Sequence, residues 1–144
     1  MKPTTALQRP KPRERFDTEG ARILIVDDSP IIRDCFHWIL EDEHGWKVCG
    51  EAANGLEAVE KAVELHPDVV ILDVYMPVMH GFDAAREIRK ELPQTAILMV
   101  SSYDTRQAHE EARHVGARGF VVKSGEAPKL VEAVQTVLRG GTSF

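Results

Sequence analysis

From Ala21 onward, short apolar runs alternate five times with longer amphipathic stretches. The runs are Ile23-Leu24-Ile25-Val26, Val48-Cys49, Val69-Val70-Ile71-Leu72, Ala96-Ile97-Leu98-Met99-Val100 and Phe120-Val121-Val122. Four of them are continuously apolar, as expected of strands buried on both faces of a parallel sheet covered by helices. The second is more polar and is expected at an edge. The stretches between read as helices. Ser29-Pro30 supplies an N-cap followed by proline at the first helical position, and Ile31, Ile32, Cys35, Phe36 and Ile39 follow as one face. Asn54 with Glu57, and Asp104 with Gln107, resemble capping boxes. Ala58, Val59, Ala62 and Val63 continue the second helix at helical spacing. Phe82, Ala85, Ile88 and Leu92 mark the third, stopped by Pro93. Ala108, Ala112 and Val115 mark the fourth, with Gly116 to end it. Leu130, Val134, Val137 and Leu138 mark the last. Five strand–helix repeats call for a single α/β domain: a doubly wound open sheet with right-handed crossovers.

The 144-residue length suits one such domain. Residues 1–20 lack apolar periodicity, contain Pro3, Pro10 and Pro12, and carry five basic against three acidic side chains; they read as a flexible basic arm. Residues 21–140 are the expected domain, and 141–144 a tail or the start of a linker. The net charge of −5 is concentrated in that domain, where 13 basic residues face 20 acidic ones. An acidic body argues against direct nucleic-acid binding by it. No apolar run is long enough to cross a bilayer, and the polar start is no secretory signal, so a cytoplasmic protein with no membrane partner is expected. Cys35 and Cys49 form no Cys-x-x-Cys pair and read as reduced core thiols. The six histidines make no His-x-x-x-His pair, which speaks against a histidine zinc site.

Polar residues follow the strands in a telling way. The first run ends in Asp27-Asp28, the third in Asp73, the fourth in Ser101-Ser102 and the fifth in Lys123. In a parallel sheet these ends share one edge, where open α/β sheets bind ligands. Three carboxylates in one cleft repel one another and persist only if protonated or bridged by a cation. An all-oxygen site suits Mg²⁺. Mg²⁺ and Lys123 would also receive the oxygens of an incoming phosphoryl group, and a carboxylate can itself become an aspartyl-phosphate. Taken singly, each residue reads equally well otherwise: Asp27-Asp28 as a turn before a cap, Asp73 as the start of a loop, Lys123 as a surface lysine. Their coincidence at four strand ends favours a site.

Val26-Asp27-Asp28-Ser29, Leu72-Asp73-Val74-Tyr75-Met76-Pro77, Val100-Ser101-Ser102 and Val122-Lys123 resemble the receiver domains of bacterial two-component response regulators, over roughly Arg22 to Arg139. The resemblance implies a flavodoxin-like, CheY-like (βα)5 fold with strand order 2-1-3-4-5. It implies that Asp73 is the phosphoacceptor, and that Mg²⁺ is held by Asp28 and Asp73 directly, by Asp27 through water and by the backbone carbonyl of Tyr75. Ser101 and Lys123 would contact the phosphoryl group, and Phe120 would be the switch aromatic that turns inward as Ser101 moves. It further implies a sensor histidine kinase or histidine phosphotransfer protein as donor. The output would run through the face of the fourth helix, fifth strand and fifth helix, with phosphorylation often promoting homodimers. Such a domain is no enzyme beyond its own phosphorylation and dephosphorylation.

Ser124 stands where many relatives have proline after the switch lysine. Tyr75 and Tyr103 each lie two residues past a site residue, where the family tunes phosphoryl lifetime; two bulky rings there are expected to restrict attacking water and lengthen it, unless both point to solvent. Residues 137–144 and Lys123-Ser124 resemble NarL/FixJ-type regulators, so a receiver fragment of a helix-turn-helix transcription factor is the alternative to a stand-alone domain acting by protein contact. Other readings are weaker. A haloacid-dehalogenase-type phosphatase would want aspartate at Tyr75. No P-loop motif is present. Asp27-Asp28 would repel the phosphate of a flavin, and a pseudo-receiver would not need all of these side chains.

Overall fold

The structure is a computed structural model that describes residues 18–41 and 45–144. Among these residues the chain runs β1 (Arg22–Val26), α1 (Pro30–Glu41), β2 (Lys47–Ala52), α2 (Gly55–Leu65), β3 (Val69–Asp73), α3 (Gly81–Glu91), β4 (Ala96–Ser101), α4 (Arg106–His114), β5 (Gly119–Val122) and α5 (Ala127–Leu138). All strand pairs are parallel, in the order β2-β1-β3-β4-β5. That is the order the resemblance implied, and the polar second strand sits at the edge. Residues 1–17 of the expected arm lie outside the described residues. Its last residues do not read as an arm: Thr18 is buried, and the Gly20 amide donates to the Gly45 carbonyl.

The continuous apolar runs are explained by two cores, one on each face of the sheet. Successive strand residues point to opposite sides. Leu24, Val26, Val70, Leu72, Ile97 and Met99 therefore meet α2, α3 and α4, while Ile23, Ile25, Val69, Ile71, Leu98 and Val100 meet α1 and α5. The helix starts follow local chemistry. Ser29 Oγ accepts from the Ile32 amide ahead of α1, and Asn54 Oδ1 accepts from the Glu57 amide at 2.8 Å to open α2. At α4 the cap is Thr105, whose hydroxyl accepts from the Ala108 amide, not the expected Asp104. Asp104 instead meets His109 Nε2 at 2.7 Å. The buried stripe of α1 also differs from expectation. It runs through Ile32, Phe36, Ile39 and Leu40, while Ile31 is 78% exposed and Cys35 is exposed. The thiols of Cys35 and Cys49 are free, as expected, but Cys35 is a surface group and Cys49 half-buried on the edge strand.

One loop is under backbone strain. Val78, between β3 and α3, has φ of +69° and an exposed side chain. A β-branched residue is disfavoured there because its Cβ crowds the following carbonyl, at a cost of about 1–2 kcal/mol. Glycine escapes that clash but loses more chain entropy on folding. Val78→Gly is therefore expected to stabilise the fold by about 1 kcal/mol, read as a higher urea midpoint at unchanged slope. A lower midpoint would show that the Val78 side chain contributes contacts that outweigh the strain.

Candidate functional site

The carboxyl edge of the sheet gathers the residues that the sequence placed at strand ends. Asp73 is the last residue of β3, Ser101 the last of β4, and Asp27-Asp28 and Lys123 directly follow β1 and β5. Oxygens of Asp27, Asp28 and Asp73 all lie within 4.8 Å of one another, among the described residues the one group of three or more acidic, histidine or cysteine side chains so disposed. Asp27 is fully buried, Asp73 nearly so, and Asp28 exposed. The cluster thus has a buried floor and a solvent-facing rim.

Lys123 Nζ lies 2.6 Å from Asp27 Oδ2 and 3.0 Å from Asp73 Oδ2, with most of its side chain buried. Asp27 Oδ1 accepts from the Ser29 amide at 2.9 Å. Asp27 Oδ2 is fully buried and has the Lys123 ammonium as its partner. One ammonium against three carboxylates leaves the site short of positive charge. Burial, opposed in part by Lys123 and reinforced by Asp27 and Asp28, pushes the Asp73 carboxyl up to about 6. Burial alone would lower Lys123, but Asp27 and Asp73 outweigh it and hold its pKa above the ordinary lysine value. An all-carboxylate donor set within 4.8 Å and a missing positive charge together fit a hard divalent cation such as Mg²⁺.

The surrounding elements set this geometry. Arg33 of α1 donates to the Asp27 carbonyl at 2.5 Å and pairs with Glu51 of β2 at 3.0 Å, tying the β1 end in place. Gly81 opens α3 against β3: its amide donates to the Val74 carbonyl, and a Cβ there would meet the Asp73 carbonyl oxygen at 2.0 Å. Neither residue was picked out from the sequence. Gly81, first in its helix, was the only signal of such a close approach. Ser101 Oγ is fully buried and accepts from the Tyr103 amide at 3.0 Å. Phe120 is buried under His109 of α4, the ring centroids 4.2 Å apart. At the rim, Tyr75 and Tyr103 meet edge to face at 5.9 Å, and Tyr75 meets His80 at 5.2 Å. The two tyrosine rings are more than half exposed, yet they contact one another rather than standing free in solvent.

A family model described as "Response regulator receiver domain" matches residues 23–135. Chemotaxis protein CheY of Thermotoga maritima is 42% identical over 118 residues, covering 82% of this chain and 98% of that protein. The transcriptional regulatory proteins YxjL and LnrK of Bacillus subtilis are 32% and 38% identical, over 90% and 83% of this chain. The chain spans only 59% and 54% of the length of those two relatives. Among solved structures, a LuxR-family two-component response regulator from Aurantimonas superposes with a TM-score of 0.84 at 33% identity, covering 88% of this chain and 90% of that one. The receiver domain of NarL from Mycobacterium tuberculosis superposes with a TM-score of 0.80 at 34% identity, covering 85% and 98%.

The raised Asp73 pKa has a consequence for stability without metal. Below about pH 4 the carboxyl is protonated both folded and unfolded, and burial carries no charge penalty. As pH rises from about 4 to about 6 the unfolded carboxyl ionises while the buried one holds its proton, so stability falls, and it levels off once the buried group ionises above about 6. Asp73→Asn is therefore expected to melt higher than wild type in EDTA at pH 7.5, by the equivalent of about 1–3 kcal/mol. The gain should fade toward pH 4. A gain of equal size at both pH values would mean that packing, not charge, is responsible.

Proposed function

The chain belongs to the response regulator receiver domain family, and from that premise we propose that it accepts a phosphoryl group on Asp73 in a Mg²⁺-dependent transfer. The observation that carries this reading is the buried Asp73 carboxylate, set against Lys123 at the sheet edge beside two further aspartates. Asp28 and Asp73 would hold Mg²⁺ directly, Asp27 through water, and the Tyr75 backbone carbonyl would complete the protein ligands. The ion would supply positive charge for the phosphoryl oxygens.

An Asp73 oxygen attacks the phosphorus of a phosphohistidine on a sensor kinase or histidine phosphotransfer protein. The phosphorus–oxygen bond forms as the phosphorus–nitrogen bond breaks, and its electron pair stays on the imidazole, which takes up a proton. Lys123 is already placed to meet the oxygens of the acyl phosphate. The Ser101 hydroxyl, now accepting from the Tyr103 amide, turns to donate to the phosphoryl group. That movement pulls on the loop leading to α4 and repacks Phe120, the expected inward-turning aromatic, whose ring is already buried under His109 before any transfer, a local charge change with a distant readout. The domain acts as a signalling switch in the cytoplasm and catalyses only its own phosphorylation and dephosphorylation. Its output runs by protein contact through α4, β5 and α5, with a phosphorylated homodimer as one form. Its acidic body does not bind nucleic acid itself. Among the described residues, no helix is long and apolar enough to cross a membrane.

A second reading is favoured by the relatives of which the chain spans little more than half. On that reading the chain is the receiver of a NarL/FixJ-type helix-turn-helix regulator, and the phosphoryl chemistry is unchanged. Reading the gene past the codon for Phe144 distinguishes the two.

Intact-mass spectrometry after incubation with acetyl phosphate and Mg²⁺ tests the acceptor. One phosphoryl adduct is expected on wild type and none on Asp73→Ala or in EDTA. An adduct retained by Asp73→Ala would move the acceptor elsewhere, and no adduct on rapidly quenched wild type would remove the support for this function. The Tyr75–Tyr103 pair is proposed to screen the acyl phosphate from water. The double substitution Tyr75→Asn with Tyr103→Glu should shorten the phosphoryl half-life several-fold; an unchanged half-life would show that the rings do not shield it.

A further inference from the structure

Residues 139–144, which follow α5, pack back on the domain. The Gly140 and Gly141 amides close the helix on the Val137 and Thr136 carbonyls, and the chain then turns back along the outer edge of β5. Ser143 pairs there as a single parallel bridge to Gly119. Its amide donates to the Arg118 carbonyl at 2.8 Å, and its carbonyl accepts from the Phe120 amide at 2.9 Å. Gly119 permits this approach, since a Cβ there would meet the Ser143 carbonyl oxygen at 2.7 Å. The next ring, Phe144, lies under the Arg113 guanidinium of α4, 4.3 Å from centroid to Cζ.

We propose that residues 141–144 form a clasp across the α4–β5 seam, which holds the unphosphorylated arrangement and is loosened when the switch operates. The clasp has one attachment on each side of the seam: the backbone of the switch residue Phe120 on β5, and Arg113 on α4. His109, one turn before Arg113, covers the ring of that same Phe120. A shift of α4 relative to β5 strains one attachment against the other, because Ser143 and Phe144 are adjacent residues and only the Arg113 and Phe144 side chains can follow the movement. The contacts therefore differ between the two states, which is the condition for coupling. By reciprocity, whatever loosens the clasp favours the phosphorylated arrangement to the same degree. The segment that follows α5 is thereby coupled to the switch.

This inference rests on the phosphoacceptor reading, and the test separates the two. Beryllofluoride with Mg²⁺ serves as a reversible phosphoryl mimic on the whole 144-residue chain, its binding followed by the fluorine resonance. Amide hydrogen exchange is read at Phe120 and Ser143. Bound mimic should accelerate exchange at both amides by roughly 5-fold or more. Ser143→Pro, which removes the donor to Arg118, and Phe144→Ala, which removes the ring under Arg113, should each bind the mimic more tightly than wild type. Binding with unchanged exchange and unchanged affinity in both variants overturns the clasp and leaves Asp73 as acceptor. No binding by wild type overturns the phosphoacceptor reading, and the clasp as its readout falls with it.

Discussion

Electrostatic repulsion among three carboxylates, two of them buried, governs the working end of this protein. Lys123 sits between Asp27 and Asp73 and compensates part of their charge. Burial, reinforced by Asp27 and Asp28, still pushes the Asp73 carboxyl up to about 6. A fold stabilised only for its own sake would not retain this arrangement, since each uncompensated buried charge costs stability. The deficit is the opening that a divalent cation would fill, and that cation with Lys123 would then balance the negative charge of an incoming phosphoryl group.

The rest of the fold keeps that cluster together. A parallel sheet brings the ends of β1, β3, β4 and β5 to one edge, so residues far apart in the chain, such as Asp27 and Asp73, become neighbours. Two apolar cores fix the strands from both faces. The loops absorb the strain: α3 starts so close to Asp73 that only glycine fits at position 81, and Val78 holds a left-handed backbone in the same connection. Helix α4 lies on the other side of Ser101. Its hydroxyl is bonded to the loop that leads to α4, and α4 covers Phe120 through His109.

The sheet and most of the site were legible in the sequence because both rest on strong local signals. Continuous apolar runs marked the buried strands, and the polar residue after each run marked the shared edge. Less was legible where two local choices compete. Both Asp104 and Thr105 can cap α4, and only the position of Ala108 relative to the Thr105 hydroxyl decides between them. On α1 the apolar residues cover more than one face, so Ile31 and Cys35 looked as buried as Phe36 until the sheet fixed which side faces inward. The strained Val78 and the returning tail at Ser143 are long-range outcomes with no periodic signature. The tail in particular is held largely through the backbone of Ser143, which leaves little mark on the sequence.

The most direct test of the central claim is calorimetric titration of Mg²⁺ in two buffers of different ionisation enthalpy, at about pH 6 and about pH 8. If a cation binds the carboxylate cluster and Asp73 titrates near 6, binding at the lower pH releases about half a proton per ion, and the release vanishes at the higher one. Binding without proton release at the lower pH would show that Asp73 is already ionised and not held in charge deficit by its neighbours. An absence of Mg²⁺ binding at both pH values would contradict the account altogether.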